Sequence, residues 1–146
     1  MSLITCRKRF QDIPIAHRLP HHDGHCADIH GHNLAIEVVF VASELGMNNF
    51  VLDFGNMHFL KEFIADKLDH KLLIQEDDLA FRNVLGYIDH LVSLIVLPSV
   101  STEGIAHWLL NTFAQMTHQH TDGRVTVSEV TVWEDSKNSA TARVAV

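Results

Sequence analysis

The stretch Ala16-His17-Arg18-Leu19-Pro20-His21-His22-Asp23-Gly24-His25-Cys26-Ala27-Asp28-Ile29-His30-Gly31-His32 concentrates half of the chain's 12 histidines between two segments of alternating hydrophobicity. On its N-terminal side apolar Ile4, Cys6 and Phe10 alternate with Thr5, Arg7 and Arg9. On its C-terminal side Leu34, Ile36, Val38 and Phe40 share one face. Side chains two residues apart on a strand project to the same side, so Ile4–Phe10 and Leu34–Val41 read as half-buried strands. The second is also rich in β-branched residues, which suit a pleated surface. Strand, His-rich loop, strand is a frame that can hold a site.

Beyond Val51-Leu52-Asp53-Phe54 the period changes. Met57, Leu60, Phe63, Ile64 and Leu68 recur at three and four residues, so an amphipathic helix is expected over Gly55–Leu68, with Asp53 as a cap near its start. A second helix is expected from Thr102 to Gln119, with Ile105, Trp108, Leu109, Phe113 and Met116 on one face and Pro98 and Ser101 marking its approach. Arg124–Glu134 and Thr141–Val146 read as closing strands joined by the polar turn Asp135-Ser136-Lys137-Asn138. Between the helices, Asp78–His90 reads as a short helix and Val92–Leu97 as a buried strand, in runs too short for periodicity to separate the two. The order is β-β-α-(insert)-α-β-β. A sheet with helices on one face leaves its other face needing cover.

The chain has 146 residues, a length suited to one domain, and its 3 prolines and 7 glycines form no linker, so residues 1–146 are read as a single unit. With 11 Lys+Arg against 18 Asp+Glu the net charge is -7. Phosphate-backbone affinity comes from clustered cations, and Arg7-Lys8-Arg9 is the one short basic cluster, so nucleic acid is excluded as the expected partner. No apolar run reaches the roughly 18 residues that span a bilayer, and the N-terminus lacks the apolar core of a signal peptide. A soluble, cytoplasmic protein with no membrane partner is the expectation. Cys6 and Cys26 make neither a disulfide framework nor a Cys-x-x-Cys knuckle.

His30 and His32 flank a glycine just before a strand, where both can reach one ion. A third nitrogen from His17 would complete three ligands around zinc and leave the open fourth position of a catalytic site. Against this stands the plain reading of His-Gly-His as turn composition. Cys6 reads as a small buried hydrophobe. Cys26 lies among polar residues and histidines, where a thiolate is stabilised, and serves either as a fourth, structural ligand or as a base. Asp69 beside His70 is either a tautomer-fixing pair or a helix C-terminus with a favourable His. Glu103 fits a first-turn helix charge. Glu134 shares the face of Val130 and Val132, and is either solvated at a strand end or a buried acceptor for a heterocycle's amino and ring N–H groups.

Taken together, Ala16-His17-Arg18-Leu19-Pro20-His21, Gly24-His25-Cys26, His30-Gly31-His32-Asn33, Asp53-Phe54, Leu68-Asp69-His70, Ser101-Thr102-Glu103 and Glu134 resemble, in order, the 6-pyruvoyl-tetrahydropterin synthase family. The branch most similar is the bacterial 6-carboxytetrahydropterin synthase of queuosine biosynthesis. The resemblance implies an α+β T-fold of two β-hairpins forming an antiparallel sheet with two helices on one face. It also implies sheets closed into a trimeric barrel, a homohexamer of two stacked trimers, and sites shared between subunits. It implies Zn2+ on His17, His30 and His32, and a pterin triphosphate, 7,8-dihydroneopterin triphosphate, as substrate. Cys26 would take a proton, Asp69 and His70 would relay protons, and Glu134 would bind the pterin with Glu103 and Thr102 nearby. Triphosphate leaves by elimination, and in the carboxy branch the side chain is cleaved to release acetaldehyde. The 6-pyruvoyl reaction on the same substrate is the alternative within the family, and a non-catalytic pterin- or purine-binding T-fold protein is the alternative outside it. The chain departs from the family pattern at Leu72-Leu73-Ile74, in a longer Gln75–Pro98 segment and at Glu134-Asp135. Arg18, Lys71 and Arg143 are the candidate triphosphate contacts.

Overall fold

The computed structural model describes residues 2–145. Its centre is a long antiparallel hairpin of β1 (Ile4–His17) and β2 (His30–Ala42), registered from Ile4 opposite Ala42 to His17 opposite His30. Strand β1 runs well past the expected Phe10. Asp12 takes a φ of 61°, and the register shifts between Phe10 and Ile13. A bulge of this kind inverts the alternation. Ile13, Ile15 and His17 therefore carry on the buried face at odd positions, where Cys6 and Phe10 had held it at even ones. On β2 the expected face is buried throughout: Leu34, Ile36, Val38 and Phe40 all lie in the core.

Five further elements follow the α1 helix (His58–Lys67), namely β3 (Lys71–Gln75), α2 (Leu79–Ile88), β4 (Leu94–Leu97), α3 (Thr102–His120) and β5 (Thr126–Trp133), before the chain closes with β6 (Ser139–Arg143). The sheet order is β4-β3-β1-β2-β5-β6. Strands β1, β2, β5 and β6 pair antiparallel, as two hairpins require, whereas β3 runs parallel to β1 and β4 parallel to β3. The α+β T-fold expectation stands: the described residues hold three α-helices, with α2 and β4 on the expected Asp78–His90 helix and Val92–Leu97 strand, and the parallel β3 and β4 make mixed a sheet that the resemblance implied to be antiparallel. Both parallel strands come from the segment after α1, where Leu72, Leu73 and Ile74 are buried in succession and leave no alternation to read.

Side chains set the helix starts. Asp53 accepts from the Gly55 amide at 2.9 Å and begins a 3-10 turn at Phe54–Asn56, so α1 itself starts later than Gly55. Ser101 accepts from the Gly104 amide at 3.0 Å and caps α3. Helices α1 and α3 place Leu60, Ile64, Ile105, Leu109 and Phe113 over the face of the sheet formed by Ile36, Val38, Phe40, Val130 and Val132. The small cluster of Leu72, Ile74 and Phe81 is separate from this core. Cys6 packs against the main core, as its apolar reading requires, and burial pushes its thiol pKa up. The closing strand spans Ser139–Arg143 rather than Thr141–Val146, and Val146 lies outside the described residues. No described helix is long and apolar enough to cross a membrane.

Candidate metal centre and substrate cleft

Strand register builds the centre. His17 ends β1 directly opposite His30 at the start of β2, and Ile15 pairs with His32, so the three imidazoles converge at one end of the hairpin. Their candidate ligand atoms all lie within 4.8 Å of one another, and among the described residues this is the one such group. The ring centroids are 4.7, 4.9 and 5.1 Å apart, in edge-on arrangements. Gly31 sits between two of the rings, where a Cβ would lie 3.2 Å from the Ile15 carbonyl, a contact tight enough to press on the paired strand.

The hydrogen bonds behind the rings fix which nitrogens face inward. His17 Nδ1 lies 2.7 Å from the Val100 carbonyl and His30 Nδ1 lies 2.7 Å from the Asp28 carbonyl. A carbonyl only accepts, so each Nδ1 carries the proton and each Nε2 presents a lone pair. Those two Nε2 atoms are 3.1 Å apart. Facing lone pairs at that distance repel unless a cation joins them. Tetrahedral zinc with bonds of about 2.0–2.1 Å sets its nitrogens about 3.3–3.4 Å apart, so the nest fits a metal ion of that size. The carbonyl partners are the outer-shell contacts that hold a metal-bound imidazole in place. His17 is only 3% exposed. Burial pushes its pKa down, against the pull of the Val100 carbonyl, which keeps the ring in its neutral, ligating form.

A carboxylate stands beside this nest. Glu134 follows β5, and its Oε2 accepts from the Thr102 hydroxyl at 2.9 Å and lies 3.8 Å from His32 Nε2. The turn Asp135–Asn138 holds it there: the Glu134 amide donates to the Asn138 carbonyl, and Asp135 accepts from the amides of Lys137 and Asn138. Those bonds hold the Asp135 carboxyl below its usual range. Two clefts meet at Glu134. One, of about 470 Å³, is lined by Arg9, His32, Trp133, Glu134 and Asp135 among others. The second, of about 430 Å³, brings together Thr102, Glu103 and Glu134. The three residues expected to hold a heterocycle therefore share one surface, adjacent to the imidazoles. Trp133, which the sequence did not single out, has a buried indole Nε1 without a partner and lies under the Arg9 guanidinium, 5.7 Å from the ring centroid.

Cys26 lies in a 3-10 turn at His25–Ala27, half-buried, with its carbonyl accepting from the Leu19 amide at 2.7 Å. It is outside the three-imidazole group, so the reading as a fourth ligand finds no geometric counterpart. Asp69 and His70 do face each other, Oδ1 to Nδ1 at 2.6 Å, because the chain has already left α1 there: His70 takes a φ of 58° and its amide donates to the Pro14 carbonyl. The clefts these two residues line contain neither Cys26 nor any of the three imidazoles. Of the candidate phosphate contacts, Arg18 is tied to Asp78 at 3.1 Å and Arg143 to Glu129 at 2.9 Å. Lys71 sits on β3 beside Ile15, in a cleft with His70.

What the fold and this centre define is a T-fold protein with three imidazoles that could hold a metal ion next to a carboxylate. The chain belongs to the 6-pyruvoyl tetrahydropterin synthase family, whose model matches residues 5–145. Over 77 residues it is 31% identical to the 6-carboxy-5,6,7,8-tetrahydropterin synthase of Rickettsia conorii, an alignment covering 52% of this chain and 55% of that protein. The chain thus spans about half the length of the Rickettsia relatives it matches. The protein of the same name in Haemophilus influenzae is 26% identical over 127 residues, 82% of this chain and 85% of the relative. Among solved structures, an uncharacterized protein from Wolinella succinogenes superposes with a TM-score of 0.83 at 23% identity, over 98% of this chain and 99% of that one. The 6-pyruvoyl tetrahydropterin synthase of Caenorhabditis elegans superposes with a TM-score of 0.67 at 20% identity, over 99% and 98%. At such identities these two likenesses establish the fold.

Proposed function

We propose that this chain is a zinc-dependent lyase that converts 7,8-dihydroneopterin triphosphate and one water to 6-carboxytetrahydropterin, eliminating triphosphate and releasing acetaldehyde, in the cytoplasm and as a step of queuosine biosynthesis. It acts as a single T-fold domain in a homohexamer, a dimer of trimers with sites at subunit interfaces. The observation that carries this reading is the convergence of His17, His30 and His32 with Glu134 3.8 Å from His32. Family membership supports it, and the names of the curated relatives favour the 6-carboxy product over the 6-pyruvoyl one.

His17 and His30 would hold the ion through their Nε2 atoms, with His32 as the third ligand. When bound, zinc supplies Lewis acidity to a substrate oxygen and thereby acidifies the neighbouring C–H. Glu134 accepts from the pterin's amino and ring N–H groups, with the Thr102 hydroxyl orienting its carboxylate and Glu103 at the same rim. Cys26 takes the proton from the substrate side chain. Asp69 orients His70, and this pair relays protons to a neighbouring subunit's site, which accounts for its absence from the two clefts that meet at Glu134. A non-catalytic pterin- or purine-binding protein would need Glu134 but neither proton-transfer group.

The test is mass spectrometry of the products formed by purified, zinc-loaded protein. 6-Carboxytetrahydropterin and acetaldehyde are expected, with turnover reduced about 10²–10⁴-fold in Cys26→Ala, the loss typical for a general base. Unchanged substrate would overturn the proposal. A 6-pyruvoyl product would move the chain to the other branch of its family.

A further inference from the structure

The turn at Gln75–Asp78, between β3 and α2, is joined to the metal nest along two routes. In the first, His17 donates to the Val100 carbonyl, and the Val100 amide in turn donates to the Gln75 side-chain oxygen at 3.4 Å. Gln75 Nε2 donates to Asp77 Oδ1 at 2.7 Å, and Asp77 Oδ2 meets His21 Nε2 at 2.7 Å. In the second, Asp78 is a carboxylate only 2% exposed. One of its oxygens accepts from the Phe81 amide and caps α2, and the other lies 3.1 Å from Nε of Arg18, the residue after His17. A nearly buried carboxylate is costly unless its charge is met. This one reaches across to the loop that leaves the metal ligand, not to its own helix alone. The next residue in that loop, Leu19, donates its amide to the Cys26 carbonyl at 2.7 Å.

We propose that the Gln75–Asp78 turn positions the metal centre: Gln75 holds the Val100 peptide that orients the His17 imidazole, and Asp78 holds Arg18, fixing the loop between His17 and Cys26. Gln75, Asp77 and Asp78 are positioning residues and touch no reacting atom. The segment they belong to, which departs in length from the family pattern, thus acts on the centre at its base while its helix stays outside. This inference rests on the reading of His17 as a metal ligand.

The test is zinc(II) affinity of the full chain, measured against a competing chromophoric chelator, beside the melting temperature of the zinc-free protein. Gln75→Ala and Asp78→Ala are expected to weaken zinc binding, by up to the roughly 10-fold at the lower end of what direct loss of an outer-shell partner costs, since each acts one step further out. Asp78→Asn keeps an oxygen for the Phe81 amide but loses the carboxylate charge that faces Arg18, so it is expected to retain the α2 cap and still bind zinc more weakly. Tyr87→Ala, on the exposed side of the same α2 helix, should leave affinity unchanged. In Gln75→Ala the proton resonance of His17 Nδ1–H should exchange faster with solvent, a signature that a merely structural role would not move. Should Asp78→Ala fail to fold, Gln75→Ala decides. Folded variants with wild-type affinity would overturn the inference alone. A His17→Ala protein with wild-type affinity would overturn the ligand reading and the inference with it.

Discussion

The β1–β2 hairpin and the β3-α2-β4 segment reach order by different routes. The hairpin is zipped continuously from Ile4 and Ala42 to His17 and His30, and one of its faces is buried in the main core. The segment rests on short parallel pairings and a separate cluster of Leu72, Ile74 and Phe81, while Leu79, Tyr87 and Leu91 stay exposed. All three imidazoles lie on the hairpin. Metal geometry tolerates little play, so ligands belong where strand pairing and packing already fix the backbone. The segment lies outside that frame and meets it through Gln75 at the Val100 amide and Asp78 at Arg18.

The largest effect that would break this contrast is in the cores. Phe40 on β2 is fully buried in the main cluster, so Phe40→Ala is expected to cost about 3–5 kcal/mol of global stability. Phe81 borders a cleft of about 400 Å³, so its removal leaves no sealed cavity. Only the transfer part of the cost is expected for Phe81→Ala, about 1.5–3 kcal/mol. That loss should appear as local opening of β3, α2 and β4 in hydrogen exchange, with the hairpin amides still protected. Urea denaturation of the two variants makes the comparison. Equal costs with uniform loss of protection would mean that the two regions form one cooperative unit.

Acid should separate the regions next. Burial depresses the His17 pKa, so the unfolded chain takes up this proton more readily than the folded one. Stability from His17 is therefore fully present above the unfolded value of about 6.5, and is lost as pH falls from there through the lower folded value. Zinc-free protein is expected to show a falling urea midpoint between neutral pH and pH 5, and His17→Phe should flatten that slope. Zinc affinity should fall in the same direction, since the ligand must be neutral. A midpoint independent of pH in this window would show that His17 is not held neutral by the fold.

The hairpin was also the legible part of the chain, and the reasons are physical. Alternation on Leu34–Phe40 and helical spacing from Ile105 to Phe113 reflect a single buried face, which sequence records directly. The second half of β1 escaped because the bulge at Asp12 switches the parity of its buried positions. Strand β3 escaped because it is buried on both faces and has no alternation. In the centre, residue type and spacing singled out His17, His30 and His32 but left a metal site and plain turn composition both open, and their convergence follows from the strand register. The Val100 and Asp28 carbonyls that orient two of the rings were not, because a backbone acceptor leaves no mark in the side-chain sequence. Asp69 and His70 were recognisable as a pair, but that they face each other depends on the left-handed turn at His70.

The smallest effect concerns the junction where the segment returns to the frame. Leaving β4, the chain passes through Ser99, whose hydroxyl lies 3.1 Å from that of Ser101, and enters α3 under the Ser101 cap. The junction is tight, since a Cβ on Gly104 would fall 2.2 Å from the Ser99 hydroxyl. Ser101→Ala leaves the Gly104 amide without its acceptor and is expected to cost about 1 kcal/mol, whereas Ser101→Gly should cost only a few tenths. Both should lower the urea midpoint at constant slope, because the surface exposed on unfolding is unchanged. Thr102, the first residue of α3, carries the hydroxyl that bonds Glu134, so fraying of this turn also loosens the carboxylate beside His32. If Ser101→Ala changes the slope as well as the midpoint, the first turn of α3 belongs with the β3-α2-β4 segment and not with the hairpin frame.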